Sequence, residues 1–175
     1  MRPARGRRLR RTVAVSIAGV LLVTAVLPEP ARADFPTAVR AFDAGDYAGA
    51  ASEWAALAAN CDAQAQTALA GLFHAGLGVP QDDIKAMRWY LQAAWAGDRF
   101  AQQIVGDRYA RGEVVPADST RAAFWLTLAA SRGLSWAAAR RDAITATLSP
   151  DELEIVVWRL SGYPAVAAEM CGASR

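Results

Sequence analysis

The sequence predicts an all-α protein: a short right-handed α/α solenoid of about three repeats, closed by a C-terminal pair of capping helices. Three observations lead there. A 33-residue phrase occurs twice at a register of 36 residues, as AQTALAGLFHAGLGVPQDDIKAMRWYLQAAWAG from Ala65 to Gly97 and AQQIVGDRYARGEVVPADSTRAAFWLTLAASRG from Ala101 to Gly133. Eleven of the 33 aligned positions are identical, and Phe73/Tyr109 and Lys85/Arg121 are matched in kind. Apolar residues recur at helical spacing inside each copy, whereas no alternating β pattern stands out anywhere in the chain. Self-similarity at this period marks units too small to bury their own apolar faces, which must therefore stack on their neighbours.

Residues 1–33 read as an address. MRPARGRRLRR is a basic start, Thr12 to Leu27 is an uncharged and largely apolar run of sixteen, and Ala31-Arg32-Ala33 offers a cleavage site before Asp34. The run falls short of the ~17–25 residues a membrane span needs, so a cleaved signal peptide is expected, touching the membrane only in transit. The destination is the periplasm or the medium beyond it. Removing this segment changes the electrostatics. The whole chain is formally +2, but the part after residue 33 holds twelve basic and sixteen acidic residues, a net of −4. The basic balance belongs to the leader, and nucleic-acid binding is not expected.

A partial N-terminal repeat (34–64) follows. Asp34 to about Ala44 gives a short helix, Gly45-Asp46-Tyr47 a turn, and Tyr47 to Asn60 a helix with Ala51, Trp54, Ala58 and Ala59. Each full repeat (65–100 and 101–133) reads as two helices. Ala65, Leu69 and Phe73, and Ala101, Val105 and Tyr109, form the inner stripe of the first helix. Gly76 and Gly112 sit where a helix ends through a left-handed residue. A Val-Pro pair follows, and Asp82 or Asp118 is placed to cap the second helix. That helix carries Ala86, Trp89, Ala93 and Ala94, or Ala122, Trp125, Ala129 and Ala130, whose tryptophans read most simply as core. Capping helices (134–160) come next. Ser149-Pro150-Asp151-Glu152 is a strong helix start, with Leu153, Val156, Val157 and Leu160 as the expected inner face. Ser161-Gly162-Tyr163-Pro164 is expected to break the helix and leave a tail over 161–175.

The run Ala-x3-Leu-Ala/Gly-x2-Phe/Tyr-x2-Gly-x2-Val-x2-Asp-x2-Lys/Arg-Ala-x2-Trp-x3-Ala-Ala-x2-Gly resembles the Sel-one-like repeat, a longer relative of the tetratricopeptide repeat. Two full copies match, and partial copies extend the resemblance over most of the chain after residue 34. The departures are Leu126 where Tyr90 stands, Glu113-Val114 where Leu77-Gly78 stands, and Gly71 inside the first helix. The resemblance implies an α/α superhelix that recognises other proteins, in bacteria often in the envelope, and it implies no shared active site.

The chemistry-bearing residues support that direction. His74 is the single histidine, so any His-dependent centre would rest on it alone. Asp82-Asp83 and Asp151-Glu152 fall at helix starts, where acids complement the helix dipole. No strand precedes the glycines at 76, 78 and 112, which excludes a phosphate-cradling loop. Catalytic, metal and cofactor residues are therefore not expected. Cys61 and Cys171 are an even count in an exported chain, which suggests a disulfide closing a loop of about 110 residues and contributing roughly 4–5 kcal/mol less any strain, with two unpaired thiols as the alternative.

If the first helices line the concave face, Gln66, Leu72, His74, Gln102, Arg108 and Arg111 face a partner. Trp95, which stands where the next copy has Ser131, either joins them or packs on a neighbouring helix. Phe100 and Trp136 share that ambiguity. The favoured function is a monomeric, non-enzymatic module of the bacterial envelope that binds another protein, such as a sensor or a polysaccharide or secretion assembly. A small-ligand binder or enzyme acting on cell-wall material is the alternative, and would need a deep pocket with coupled titratable groups. A self-assembling structural element is a third reading, disfavoured by the acidic start of the last helix.

Overall fold

A computed structural model describes residues 34–172, with side chains described as far as Tyr163. The expected signal peptide and the Cys171 side chain lie outside the described residues. Eight helices and no strand occur among them: α1 (Phe35–Asp43), α2 (Tyr47–Ala59), α3 (Ala63–Ala75), α4 (Asp83–Trp95), α5 (Arg99–Arg111), α6 (Ser119–Ser131), α7 (Ser135–Thr145) and α8 (Pro150–Gly172). None is long and apolar enough to cross a membrane.

Six aspartates set the helix starts. Asp34, Asp46, Asp62, Asp82, Asp98 and Asp118 each accept a hydrogen bond from the backbone N–H three residues on, opening α1 to α6. A cap of this kind satisfies an amide that the helix itself leaves unpaired, typically for ~1 kcal/mol. The caps recur with the repeat, at 46, 82 and 118 and at 62 and 98. Position 134 breaks the second series: Leu134 stands there, α7 opens without a side-chain cap, and Leu134 is buried instead.

The helix ends repeat as faithfully. Gly76 and Gly112 are left-handed at φ +67° and +68°, and in both copies the chain folds back on the first helix. The Asp82 N–H reaches the Phe73 carbonyl at 2.9 Å, as Asp118 reaches Tyr109 at 3.0 Å. Val114 then copies the left-handed backbone of Gly78, at φ +66° against +69°. A β-branched side chain is strained there.

From α1 to α7 each helix packs on the next in sequence, as in a solenoid. Small residues allow the close approach: Ala86, Ala93, Ala94, Ala101, Ala122, Ala123 and Ala129 are fully buried. Trp54 anchors an N-terminal cluster with Ala38, Ala50, Leu69 and Leu72, and Phe124 and Trp125 anchor the central one. Phe73 and Trp89 touch both clusters and join them. Trp54 and Trp125 are core as expected, but Trp89 is only half-buried.

The C-terminal end departs from the sequence reading in two ways. The break expected at Ser161–Pro164 does not occur, and α8 continues to Gly172. Pro164 has no N–H to offer the Leu160 carbonyl, a cost the helix bears at one turn, while tertiary contact at Tyr163 holds the segment in place. The inner face also differs. Val156 and Tyr163 are buried and Leu160 partly so, whereas Leu153 is exposed and Val157 is 64% exposed. Spacings of four and three select one stripe, and Leu153 and Val157 lie on the neighbouring one. The helix does not continue the stack; it lies back across α6 and α4.

Candidate protein-interaction surfaces

The residues expected to meet a partner divide between core and surface. Gln66 is buried, with Nε2 donating to the Ala58 carbonyl at 3.1 Å, and Gln102 repeats this bond to the Ala94 carbonyl at 3.1 Å. Each glutamine ties a first helix to the second helix before it, so its recurrence in both copies has a structural cause. Leu72 is buried in the N-terminal cluster. Arg108 occupies the place of Leu72 one repeat later and keeps its burial, being 4% exposed. These four are therefore corrected from partner-facing to internal. The physical reason is that a first helix wedged between two second helices buries two stripes, not the single Ala-Leu-Phe stripe legible in the sequence.

Arg108 brings a charge into that interior. Its guanidinium lies 5.2 Å from the centre of the Tyr90 ring, and Nη2 is 3.9 Å from Asp83 Oδ1. Nη1 has no hydrogen-bond partner among the described residues. Burial pushes the Tyr90 phenol up, partly offset by the nearby Arg108 charge.

His74 and Arg111 do reach the surface. His74 Nδ1 is 2.5 Å from Asp83 Oδ1, which links the end of α3 to the start of α4. Arg111 holds Glu113 through Nε at 2.6 Å and Nη2 at 3.1 Å. The Arg111 hydrogen bond holds the Glu113 carboxyl below its usual range, with smaller contributions from the Arg111, Arg108 and His74 charges. His74, Asp83, Arg108, Arg111 and Glu113 thus form one charged edge spanning two repeats. No group of three potential ligands that could hold a metal occurs among the described residues.

Trp95 belongs to an aromatic cluster under α8. It stacks on Tyr163, meets Trp125 edge-on at 4.8 Å and lies 5.9 Å from Phe124. The packing alternative therefore describes Trp95, which is half-buried rather than free. Phe100 and Trp136 differ from it and remain 47% exposed.

Two grooves were not foreseen. One of about 560 Å³ lies where α8 meets α4 and α6, lined by Leu91, Trp95, Tyr109, Phe124, Trp125 and Trp158. The other, about 550 Å³, runs between α2 and α4 over Leu69, Phe73 and Trp89, with Lys85 and Arg88 on its wall. Trp89 and Trp125 are the same letter at equivalent places, so no local signal could tell which one a distant helix would cover.

The Sel1 repeat family pattern matches residues 63–98 and 100–134, the two helix pairs α3–α4 and α5–α6. These two helix pairs are Sel1 repeats. Solved structures agree on the fold. A protective antigen of uropathogenic Escherichia coli strains, displaying an SLR fold, superposes with a TM-score of 0.68 at 22% identity over 79% of this chain. A Sel1 repeat protein from Oxalobacter formigenes superposes with a TM-score of 0.60 at 24% identity over 78% of this chain. The matches span 31% and 56% of those two proteins. No curated protein matches the sequence. Sel1 repeats generally serve protein–protein interaction.

Proposed function

We propose that this Sel1-like chain is a non-enzymatic adaptor of the bacterial envelope, exported by residues 1–33 and binding a partner protein through the charged edge that ends α3 and α5. The observation that carries this reading is the exposure of His74, Asp83, Arg111 and Glu113 side by side on two consecutive repeats. Rigid helices hold both signs of charge at fixed spacing, which suits selection of a complementary surface and governs encounter more than raw affinity. Arg108 supports the edge from within and does not touch the partner.

The test is in-cell crosslinking of the tagged protein followed by mass spectrometry, beside a chain carrying His74→Glu and Arg111→Glu. Both substituted residues are exposed, so the fold is retained and circular dichroism checks it. One envelope protein is captured by the parent chain and lost with the double substitution. Unchanged capture moves the contact to another face, and a protein retained in the cytoplasm removes the envelope assignment.

The groove under α8 supports a second reading, small-ligand binding. About 560 Å³ lined by aromatic rings falls within the range of small-molecule sites, and Trp95, Trp125 and Trp158 would report occupancy. Titration with muropeptides while following tryptophan emission tests it; a flat titration discards cell-wall fragments as ligands.

A further inference from the structure

The open groove between α2 and α4 is the counterpart, one repeat earlier, of the groove that α8 covers between α4 and α6. Their parts correspond at the 36-residue register: Phe73 with Tyr109, Trp89 with Trp125, and Ala55 with Leu91. The same cation–ring contact stands in each, Lys85 Nζ at 4.8 Å from the Phe73 centre and the Arg121 guanidinium at 5.3 Å from the Tyr109 centre. Where α8 covers the groove, Tyr109 and Trp125 are buried. Where nothing described covers it, Phe73 and Trp89 are half-exposed, and the α2 wall is cut low by Ala48, Ser52 and Ala55. Over the covered groove α8 presents Tyr163 to Trp95 and Phe124, so the molecule itself shows a helix carrying an aromatic ring as occupant. In the open groove the places of those two rings are taken by Ala59 and Arg88, which leaves Phe73 and Trp89 as its aromatic surface.

The two grooves differ in charge. Arg88 stands where the covered groove has Phe124, and among the described residues neither Arg88 nor Lys85 is held in an ion pair. A helix entering here meets an apolar floor with two cations on one wall. We propose that the α2–α4 groove binds an amphipathic helix of a partner protein, which lays an aromatic side chain against Phe73 and Trp89 and sets acidic side chains beside Lys85 and Arg88. Helix-in-groove binding takes affinity from the buried aromatic anchor and orientation from the flanking charges. The inference rests on the protein-binding reading of the chain, but not on its charged edge.

The probe is a fluorescently labelled synthetic peptide of residues 149–166, carrying Arg159→Glu to make it more acidic, titrated into the full chain by anisotropy. Saturable binding is expected. Ala55→Trp, at an exposed position on the groove wall, fills the channel and weakens binding by about tenfold or more, equivalent to ~1.4 kcal/mol, with the melting curve unchanged. Arg88→Glu weakens it severalfold, and the peptide with native Arg159 then binds the Arg88→Glu chain better than the acidic peptide does. No binding to the parent chain overturns the proposal, as does equal affinity for the Ala55→Trp chain, which places the peptide elsewhere. If light scattering finds a parent dimer that Ala55→Trp dissociates, the occupant is a second copy and the partner helix is wrong. In-cell capture that persists in the Ala55→Trp chain but is lost with the edge substitutions overturns the groove alone and leaves the adaptor reading in place.

Discussion

Tyr163 stacks on Trp95 with ring centroids 5.7 Å apart and planes 18° from parallel, across 68 residues of sequence. The tyrosine hydroxyl lies 3.1 Å from Gln102 Nε2, and 3.3 and 3.2 Å from the carbonyls of Ala94 and Trp95. These contacts fasten α8 over the junction of α4 and α5. They also give Trp95 a packing role that its repeat counterpart Ser131 lacks: among the described residues, a returning helix docks at the α4 end and not at the α6 end.

Removing the hydroxyl and removing the ring should differ. Tyr163→Phe keeps the stack but leaves the Gln102 amide one acceptor short in a buried place, at about 1–2 kcal/mol. Tyr163→Ala removes the anchor as well, at about 3 kcal/mol or more. Urea denaturation measures both losses. Hydrogen exchange in residues 150–163 should accelerate far more in Tyr163→Ala than in Tyr163→Phe.

Arg108 should be replaceable by the residue its own repeat suggests. The buried guanidinium has one nitrogen unpartnered and its nearest carboxylate oxygen 3.9 Å away, a weak return for taking a charge out of water. Arg108→Leu, copying Leu72, should leave the unfolding free energy unchanged or raise it by ~1 kcal/mol, since buried charges often gain nothing over well-packed apolar groups. Arg108→Ala should cost about 2–4 kcal/mol by opening a cavity. A large loss in the leucine variant would show that the Arg108–Asp83 pair stabilises the fold.

Val114 is strained where Gly78 is not. Val114→Gly relieves a left-handed backbone worth ~1–2 kcal/mol against ~0.5–1 kcal/mol of added chain entropy. A net gain of between nothing and about 1.5 kcal/mol follows, read as a higher melting temperature.

Acid should loosen the start of α8. The Ser149 backbone N–H donates to Glu152 at 2.8 Å and the Ser149 hydroxyl lies 2.9 Å away, while the Glu152 N–H returns a bond to Ser149 Oγ at 3.3 Å. The Ser149 backbone and then side-chain hydrogen bonds hold the Glu152 carboxyl below its usual range. A carboxyl depressed in the folded state contributes stability above its unfolded value of ~4.3, and that contribution is lost as pH falls through the folded value. The melting temperature should fall between about pH 5 and pH 3, and fall less in Glu152→Gln. Identical slopes in the two chains would show that the other depressed acids, Asp34, Glu113 and Asp118, account for the whole effect.

The helices were legible because their signals are local. An aspartate three residues ahead of an amide, a glycine that can turn left-handed and a proline that bars a restart act within one turn, and the 36-residue register displays each of them twice. The site was much less legible. Gln66, Gln102 and Arg108 are polar residues off the visible apolar stripe, and polarity suggested surface; each is buried because α3 and α5 are wedged between two neighbours. His74 and Arg111 lie at helix ends, where wedging stops, and they alone of the first-helix set reach the surface.

What the sequence determined by itself is therefore the solenoid: helix count and order up to α7, the caps, and the alanine–tryptophan layer between helices, all of which depend on residues within one repeat of each other. What only the tertiary structure decided is the path of α8. Glycine and proline at 162 and 164 argue locally for a break, and the helix persists because Tyr163 finds Trp95, Phe124 and Gln102 from distant parts of the chain. That single long-range docking covers one inter-repeat groove and leaves its counterpart between α2 and α4 open, a distinction that two near-identical repeats cannot carry in their own letters.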